Sequence, residues 1–422
     1  MNPDPSDVVV TGVGPVTCTG VGREAFWASL VQSRSNVQTR ALQVDLGRFA
    51  ELPIAAMPAE ADVLGLDVHT AFLNGQECEG YRDLGYALLA IELALADAGL
   101  EYDRDKNTIG AIQVFEAPGV ERTVSRLFQL LTEPMPTDGP PQVYELLAPY
   151  FYAMQPFLYV HLVGKAFGLR GYSTSIHNAC SSGAFAIEVA AQRIRSGEAD
   201  AMIVVGGEAF DTAVRLEWFR RLELYAQTTR MCPFDTESSG FYVGEGAGAI
   251  ILESATHAAR RGVSPYARYL GGAFTHQGWK QVIPDVRSAR LRDVIVEAMA
   301  NTGLAASELD LIVPHGASTQ LGDGYEALCL TEAIKGQGGN AIATAFKPYV
   351  GHMLAASGII EAICALLAIK HQSVPATLNT QPDHMQLPVP LATSPVERPV
   401  RTVLKLSTGF TGHDAASIFR AV

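Results

Sequence analysis

The sequence predicts an α/β fold made of two similar halves, roughly 1–255 and 256–422. Three observations carry this. Short and continuously apolar segments such as 201–207 read as strands covered on both faces, the habit of parallel or mixed sheets. Longer segments with apolar residues at helical spacing lie between them, one of them closed by Gly99. The order strand, helix, strand, helix, strand, helix, then terminal strands occurs twice, with faint identity between the copies. No stretch has the composition of a linker, so the halves are expected to pack as one unit.

Taken in order, 7–16 is an apolar strand ending in glycines, and 23–31 is a helix. Residues 81–98 form a long helix with Leu84, Leu88, Leu89, Ile91, Leu93 and Leu95 at helical spacing. A buried strand follows at 108–115, and the four prolines within 132–142 make that stretch a loop. A short strand before Cys180 gives way to a helix, then to the strand 201–207 after a Ser196-Gly197 turn. Residues 241–253 read as a strand pair with glycines where backbones approach closely. The second half begins with a strand at 267–271 and a helix at 288–301. A strand at 309–313, a helix at 324–335, a strand at 341–345 and a helix at 353–370 precede the terminal strands.

Composition excludes several classes. A net charge of -13 over 422 residues argues against a nucleic-acid partner. Six cysteines lie far apart without C-x-x-C spacing, so neither a zinc site nor a disulfide framework is expected. Asp235, Glu237 and Glu245 read as turn residues and not as metal ligands. The polar start shows no signal peptide, and apolar runs such as 359–369, which carries Glu361, are too short to span a bilayer. A reducing, cytoplasmic location is therefore expected.

The chemistry concentrates at three places. Cys180 ends a strand where small residues open a helix, which points the thiol at the positive end of the helix and favours a thiolate nucleophile. The alternative is a buried structural thiol. His315 follows the apolar strand that ends in Pro314, and His352 lies between a strand and a helix, both at ends of strands where α/β sheets collect functional groups. Lys347 and Glu361 flank His352, and any meeting between those two must be tertiary. His177, by contrast, reads as structural.

These segments resemble the β-ketoacyl-acyl carrier protein synthases, the elongating ketosynthases of the thiolase superfamily. The resemblance runs from Val10-Thr11-Gly12-Val13-Gly14 through Ala179-Cys180-Ser181-Ser182-Gly183 and Cys232-Pro233-Phe234-Asp235 to Gly244-Glu245-Gly246. It continues through His315-Gly316-Ala317-Ser318-Thr319, Lys347-Pro348-Tyr349-Val350-Gly351-His352 and Gly409-Phe410-Thr411-Gly412. It implies a five-layered α-β-α-β-α fold, usually dimeric, with Cys180 as acyl-accepting nucleophile and His315 and His352 as the paired catalytic histidines. Lys347 and Glu361 are implied to support the histidines, Phe410 to gate the malonyl site, and the N–H groups of Cys180 and Phe410 to form an oxyanion hole. No metal or organic cofactor is implied. The substrates ride on the phosphopantetheine of an acyl carrier protein, whose arm Thr319 is similar to a residue that holds. The partner subunit is expected to be an identical chain or a chain-length-factor-like protein.

Departures bear on specificity. Ala317 stands where the family has a first threonine, and Thr408 where it has a phenylalanine; Thr411 and His413 are also unusual. The segments 115–157 and 210–227 read unlike the housekeeping enzymes. These features, with an excess of arginine over lysine, fit a bacterial type II polyketide or polyene ketosynthase better than a fatty-acid elongase. Arg215, Arg220 and Arg221 around Trp218 either receive an acidic carrier or form a solvated helix face. A non-catalytic partner would lack Cys180. A thiolase would need a second cysteine near the C-terminus, and a starter-unit enzyme usually has asparagine at His352.

Overall fold

The computed structural model describes residues 6–59, 62–133, 148, 150–334, 340–381, 384, 387 and 389–422. In the first half, strand β1 (Val8–Thr17) starts the sheet, and a hairpin of β2 (Gln38–Asp45) and β3 (Arg48–Ala55) lies outside it. Further strands of that half include β4 (Gly110–Val114), β5 (Thr174–Ser175), β6 (Ala201–Glu208) and β7 (Gly246–Ser254). The second half supplies β8 (Ala267–His276), β9 (Leu311–Val313), β10 (Ile342–Ala343), β11 (Thr402–Gly409) and β12 (His413–Arg420).

The two sets pair in the same way. β1–β7 and β7–β6 are antiparallel, while β6–β4 and β4–β5 are parallel. β8–β12 and β12–β11 are antiparallel, while β11–β9 and β9–β10 are parallel. A short antiparallel contact of Val8–Val10 with Ala267–Tyr269 joins them into one continuous sheet. The repeat that was faint in the residues is therefore plain in the topology.

Helices α1 (Arg23–Val31), α2 (Leu66–Asn74), α3 (Arg82–Ala98), α4 (Val120–Thr132) and α5 (Pro156–Phe167) belong to the first half, with α6 (Ser182–Arg195) and α7 (Val214–Arg221) after them. The second half has α8 (Arg290–Thr302), α9 (Gln320–Ile334) and α10 (Ser357–His371). α6 and α10 pack on each other and on strands of both halves, which makes them the inner layer. α3 covers the outer face of the first sheet, and α8, with α9 against it, that of the second. The layer order is thus helix, sheet, helix, sheet, helix.

α10 is apolar all round because it is buried all round. With the preceding turn it forms an 18-residue run, Leu354–His371, long and apolar enough to cross a membrane, yet 89% of it lies inside the protein. The expectation that such runs are too short is corrected here. The turn at Leu354 adds apolar residues, and core burial accounts for all of the run but its exposed end, Lys370 and His371.

α9 begins four residues before the expected 324, because Gly322 lets the first turn fold over Thr319. A Cβ there would lie 2.5 Å from the Thr319 hydroxyl. The loop expected at 132–142 and the helix end at Lys335 fall outside the described residues, apart from Thr132, which closes α4, and Glu133 after it.

Candidate active site

The inner helices meet at their N-terminal ends through two glycines. A Cβ on Gly183 would lie 2.8 Å from the backbone nitrogen of Ile359, and one on Gly358 would lie 3.0 Å from that of Ala184. This close approach sets the turn before α6, which carries Cys180, beside the turn before α10, which carries His352. Cys180 itself follows Ala179 at φ 49°, a left-handed residue that bends the chain sharply out of the short strand β5. The strand β9 ends two residues before His315, whose loop is held from behind: the Glu326 carboxylate on α9 accepts from the N–H of His315 at 2.6 Å and of Gly316 at 2.9 Å.

Cys180, His315 and His352 line one cavity of about 610 Å³, together with Thr319 and Phe410. The two imidazoles lie edge to face with ring centroids 5.4 Å apart. Lys347 and Glu361 are buried beside them and form an ion pair. The Lys347 ammonium also donates to the His315 carbonyl and faces His315 Nδ1 at 3.3 Å, so its three protons have three acceptors. An ammonium has no acceptor, so Nδ1 of His315 accepts and the proton of the neutral ring sits on Nε2. The Ser357 hydroxyl lies 2.8 Å from His352 Nδ1 and, assigned as donor, leaves that proton on Nε2 as well.

Burial pushes both histidines well below their ordinary range, and the charges of Lys347 and Lys405 push them the same way. The second lysine was not foreseen. Lys405 is buried on β11, its Nζ 2.8 Å from the other oxygen of Glu361, so one carboxylate faces two ammonium groups. Its signal was present as a lone charge inside the apolar run Val403-Leu404-Lys405-Leu406. Glu326 and Ser357 were missed too. The first was one acid on a helix rich in them, and the second a small residue in a string of small residues.

The surroundings of Cys180 oppose the expected thiolate. Burial pushes the Cys180 thiol up, the nearby Glu116 carboxyl adds to the rise, and Lys347 opposes it. Desolvation and like charge outweigh the helix terminus, as α6 begins two residues further on.

Phe410 sits against this turn from the second half. A Cβ on Gly409 would lie 2.9 Å from the Asn178 carbonyl, and the Ser181 hydroxyl donates to the His413 carbonyl at 2.6 Å. The Phe410 ring packs on Trp218 and Phe219 of α7, with centroids 5.8 and 6.1 Å away. Phe241 continues that aromatic cluster to His352 at 4.9 Å.

Other expectations resolve simply. Arg215 is half-buried in ion pairs with Glu121 and Glu208, whereas Arg220 and Arg221 are exposed beside Glu217. Asp235 and Glu245 accept backbone N–H groups, a structural role. Cys18, which could have been exposed, is buried. His177 lies exposed beyond the end of β5, with Nε2 3.1 Å from Ser175 Oγ. No cluster of metal-ligating side chains occurs among the described residues.

Residues 5–258 match the family described as "Beta-ketoacyl synthase, N-terminal domain", and residues 266–381 match its C-terminal domain. The chain belongs to the β-ketoacyl synthase family. The ketosynthase is 28% identical to 3-oxoacyl-[acyl-carrier-protein] synthase 2 of Rhizobium meliloti (strain 1021), over 98% of each chain. It superimposes with a TM-score of 0.82, at 25% identity over 99% of this chain and 100% of the other, on a type II polyketide ketosynthase in complex with its acyl-carrier protein and bound to the hexaketide. A second solved structure, the ishigamide ketosynthase/chain length factor, gives a TM-score of 0.81 at 25% identity over 99% of both chains. The fold is therefore that of the thiolase-like ketosynthases, and the enzyme is an acyltransferase that forms carbon–carbon bonds.

Proposed function

We propose that this ketosynthase extends an acyl chain held on Cys180 by decarboxylative Claisen condensation with malonyl-acyl carrier protein, in a bacterial type II polyketide or polyene pathway. The observation that carries the reading is the convergence of a thiol and two neutral imidazoles on one cavity. Loading is a thioester exchange in which the Cys180 proton leaves with the departing pantetheine sulfur, so a neutral resting thiol suffices. Loss of CO2 from the malonyl thioester then leaves an enolate, and the Nε2–H groups of His315 and His352 stabilise its oxygen. Each such donor is worth about 10²–10³ in rate. The enolate carbon attacks the acyl-Cys180 carbonyl. The backbone N–H groups of Cys180 and Phe410 take the tetrahedral oxyanion, and its collapse frees the Cys180 sulfur to regain a proton.

Lys347, paired with Glu361, keeps His315 neutral and oriented. Thr319, at the cavity wall, holds the phosphopantetheine arm. The substrates supply every electron, so the proposal includes no metal or organic cofactor. The six free, buried cysteines suit a cytoplasmic location.

The polyketide assignment rests on the likeness to a type II polyketide ketosynthase and on Ala317 and Thr408, which alter the cavity wall. The likeness to the Rhizobium enzyme favours the second reading, a fatty-acid elongating synthase. The ketosynthase/chain length factor supports a heterodimer as well as a homodimer for the assembly. The retained Cys180 stands against a non-catalytic partner role.

Intact mass spectrometry after mixing with acyl carriers tests the core. One acyl group should add to the wild type, and none to Cys180→Ala, which should also lose condensation. Acyl loading that survives the substitution rules out Cys180 as the nucleophile.

A further inference from the structure

The catalytic cavity has a second wall that the condensation does not use. Thr408 on β11 and Asp414 on β12 stand directly opposite each other in the antiparallel ladder, and both line the cavity. Opposed side chains of such a pair share a face with Cβ atoms about 5 Å apart. Asp414 is only 1% exposed, and its Oδ2 accepts one hydrogen bond, from Gln277 Nε2 at 2.5 Å. Gln277 is itself fixed: its Nε2 also reaches the Tyr325 hydroxyl at 3.1 Å, and its Oε1 accepts from the N–H of Asp285 at 2.8 Å. Among the described residues no group donates to Asp414 Oδ1, and the Thr408 hydroxyl makes no side-chain hydrogen bond. A carboxylate offers about four acceptor sites, and burying one with a single donor is costly unless something else donates to it. The adjoining wall of Val282, Ile283 and Pro284 is apolar and cannot do so.

We infer that Thr408 and Asp414 form a subsite that recognises a hydrogen-bond-donating substituent, a hydroxyl or an amine, on the substrate a few bonds from the reacting carbonyl. Thr408 lies two residues before Phe410, so the subsite is about 7 Å along the strand from the oxyanion-binding N–H. The inference rests on the condensing reading of the Cys180 cavity. The same chemistry could come from the acyl chain on Cys180 or from the extender unit, and a paired experiment separates them.

In one arm, kcat/KM is measured for acyl carriers of equal length bearing a hydroxyl, its methyl ether or hydrogen at the third, fifth or seventh carbon. In the other, hydroxymalonyl and methoxymalonyl carriers are compared with a plain acyl group on Cys180. A methyl ether accepts hydrogen bonds but cannot donate. Measured above pH 8, where the Asp414 carboxyl, pushed up to about 7 by burial, is ionised, one arm should show the hydroxyl preferred over the ether by about tenfold or more, the range for a hydrogen bond to a charged acceptor. Asp414→Asn turns a donor toward the cavity and should collapse that ratio toward one, and Thr408→Phe should abolish it by filling the space. Equal rates for hydroxyl and ether in both arms, or an Asp414→Asn variant that slows every carrier alike, overturn the subsite. If no carrier acylates Cys180 at all, the condensing reading falls and takes the subsite with it. Acylation without discrimination sinks the subsite alone. Thr408→Phe keeps the test valid should Asp414→Asn fail to fold.

Discussion

At the residue scale, Lys347 is the group on which the others depend. Its three protons fix the His315 ring, the loop that carries it and Glu361. Its charge is also one of the causes that hold both histidines neutral. Lys347→Gln should therefore slow malonyl decarboxylation on the order of 10², the cost of a misplaced oxyanion donor. It should also shift the acid limb of the pH–rate profile upward, since removing a neighbouring positive charge lets the imidazoles protonate at higher pH. A rate loss without that shift would assign Lys347 to packing alone. Cys180, His315 and His352 were legible in the sequence because each sits in a short run between a strand and a helix, while Lys347 and Glu361 were marked only as neighbours of His352 and took their roles from the family resemblance. Ser357 and Glu326 were not legible, because their roles are made by tertiary contact and their neighbours in the chain give no contrast.

At the scale of elements, the site depends on how closely α6 approaches α10. Gly183→Ala places a methyl 2.8 Å from the Ile359 nitrogen, and backbone cannot yield as a side-chain tip can. The helices must separate, which should cost about 1–3 kcal/mol, typical of overpacking. Because Cys180 and His352 lie in the turns that lead into those helices, condensation should fall more than acyl loading. The measurements are urea unfolding and the two half-reactions compared side by side; equal losses in both would place the contact outside catalysis. The strand and helix order was readable because buried strands and a central helix leave continuous apolar runs. The hairpin β2–β3 and the helix α7 were not readable. Their residues alternate charge with apolar groups, and Phe210, Leu216 and Phe219 find their partners in Leu42, Leu52 and Phe241, far away in the chain.

At the scale of the molecule, the same burial that builds the cavity stores carboxyl groups away from water. Glu208 is pushed up to about 8, and Asp323, Glu326 and Asp414 to about 7, each mainly by burial. Unfolded carboxyls titrate near 4. A raised folded value means the folded state binds protons more tightly, so this stability is complete below about pH 4 and is lost as pH rises through 7 to 8. His315 and His352 work in the opposite direction. Depressed in the folded state, they contribute stability above the ordinary value of about 6.5, and lose it as pH falls below that. The urea midpoint should therefore be lower at pH 9 than near pH 6.5, and a midpoint that rises toward pH 9 would contradict the burial of these acids. The two-half plan was visible as a repeated order of elements. The sense of every strand pair was not, because hydrogen-bond direction leaves no mark in an apolar run.

The central claim is that two neutral imidazoles face the Cys180 cavity through their Nε2–H groups. Ring-nitrogen NMR of histidine-labelled protein, titrated across the ordinary histidine range near pH 6.5, reads it directly. His315 and His352, assigned by substitution, should remain neutral Nε2–H tautomers throughout and should not titrate with the exposed histidines. Protonation of either ring near the ordinary value, or an Nδ1–H tautomer on His315, would contradict the account.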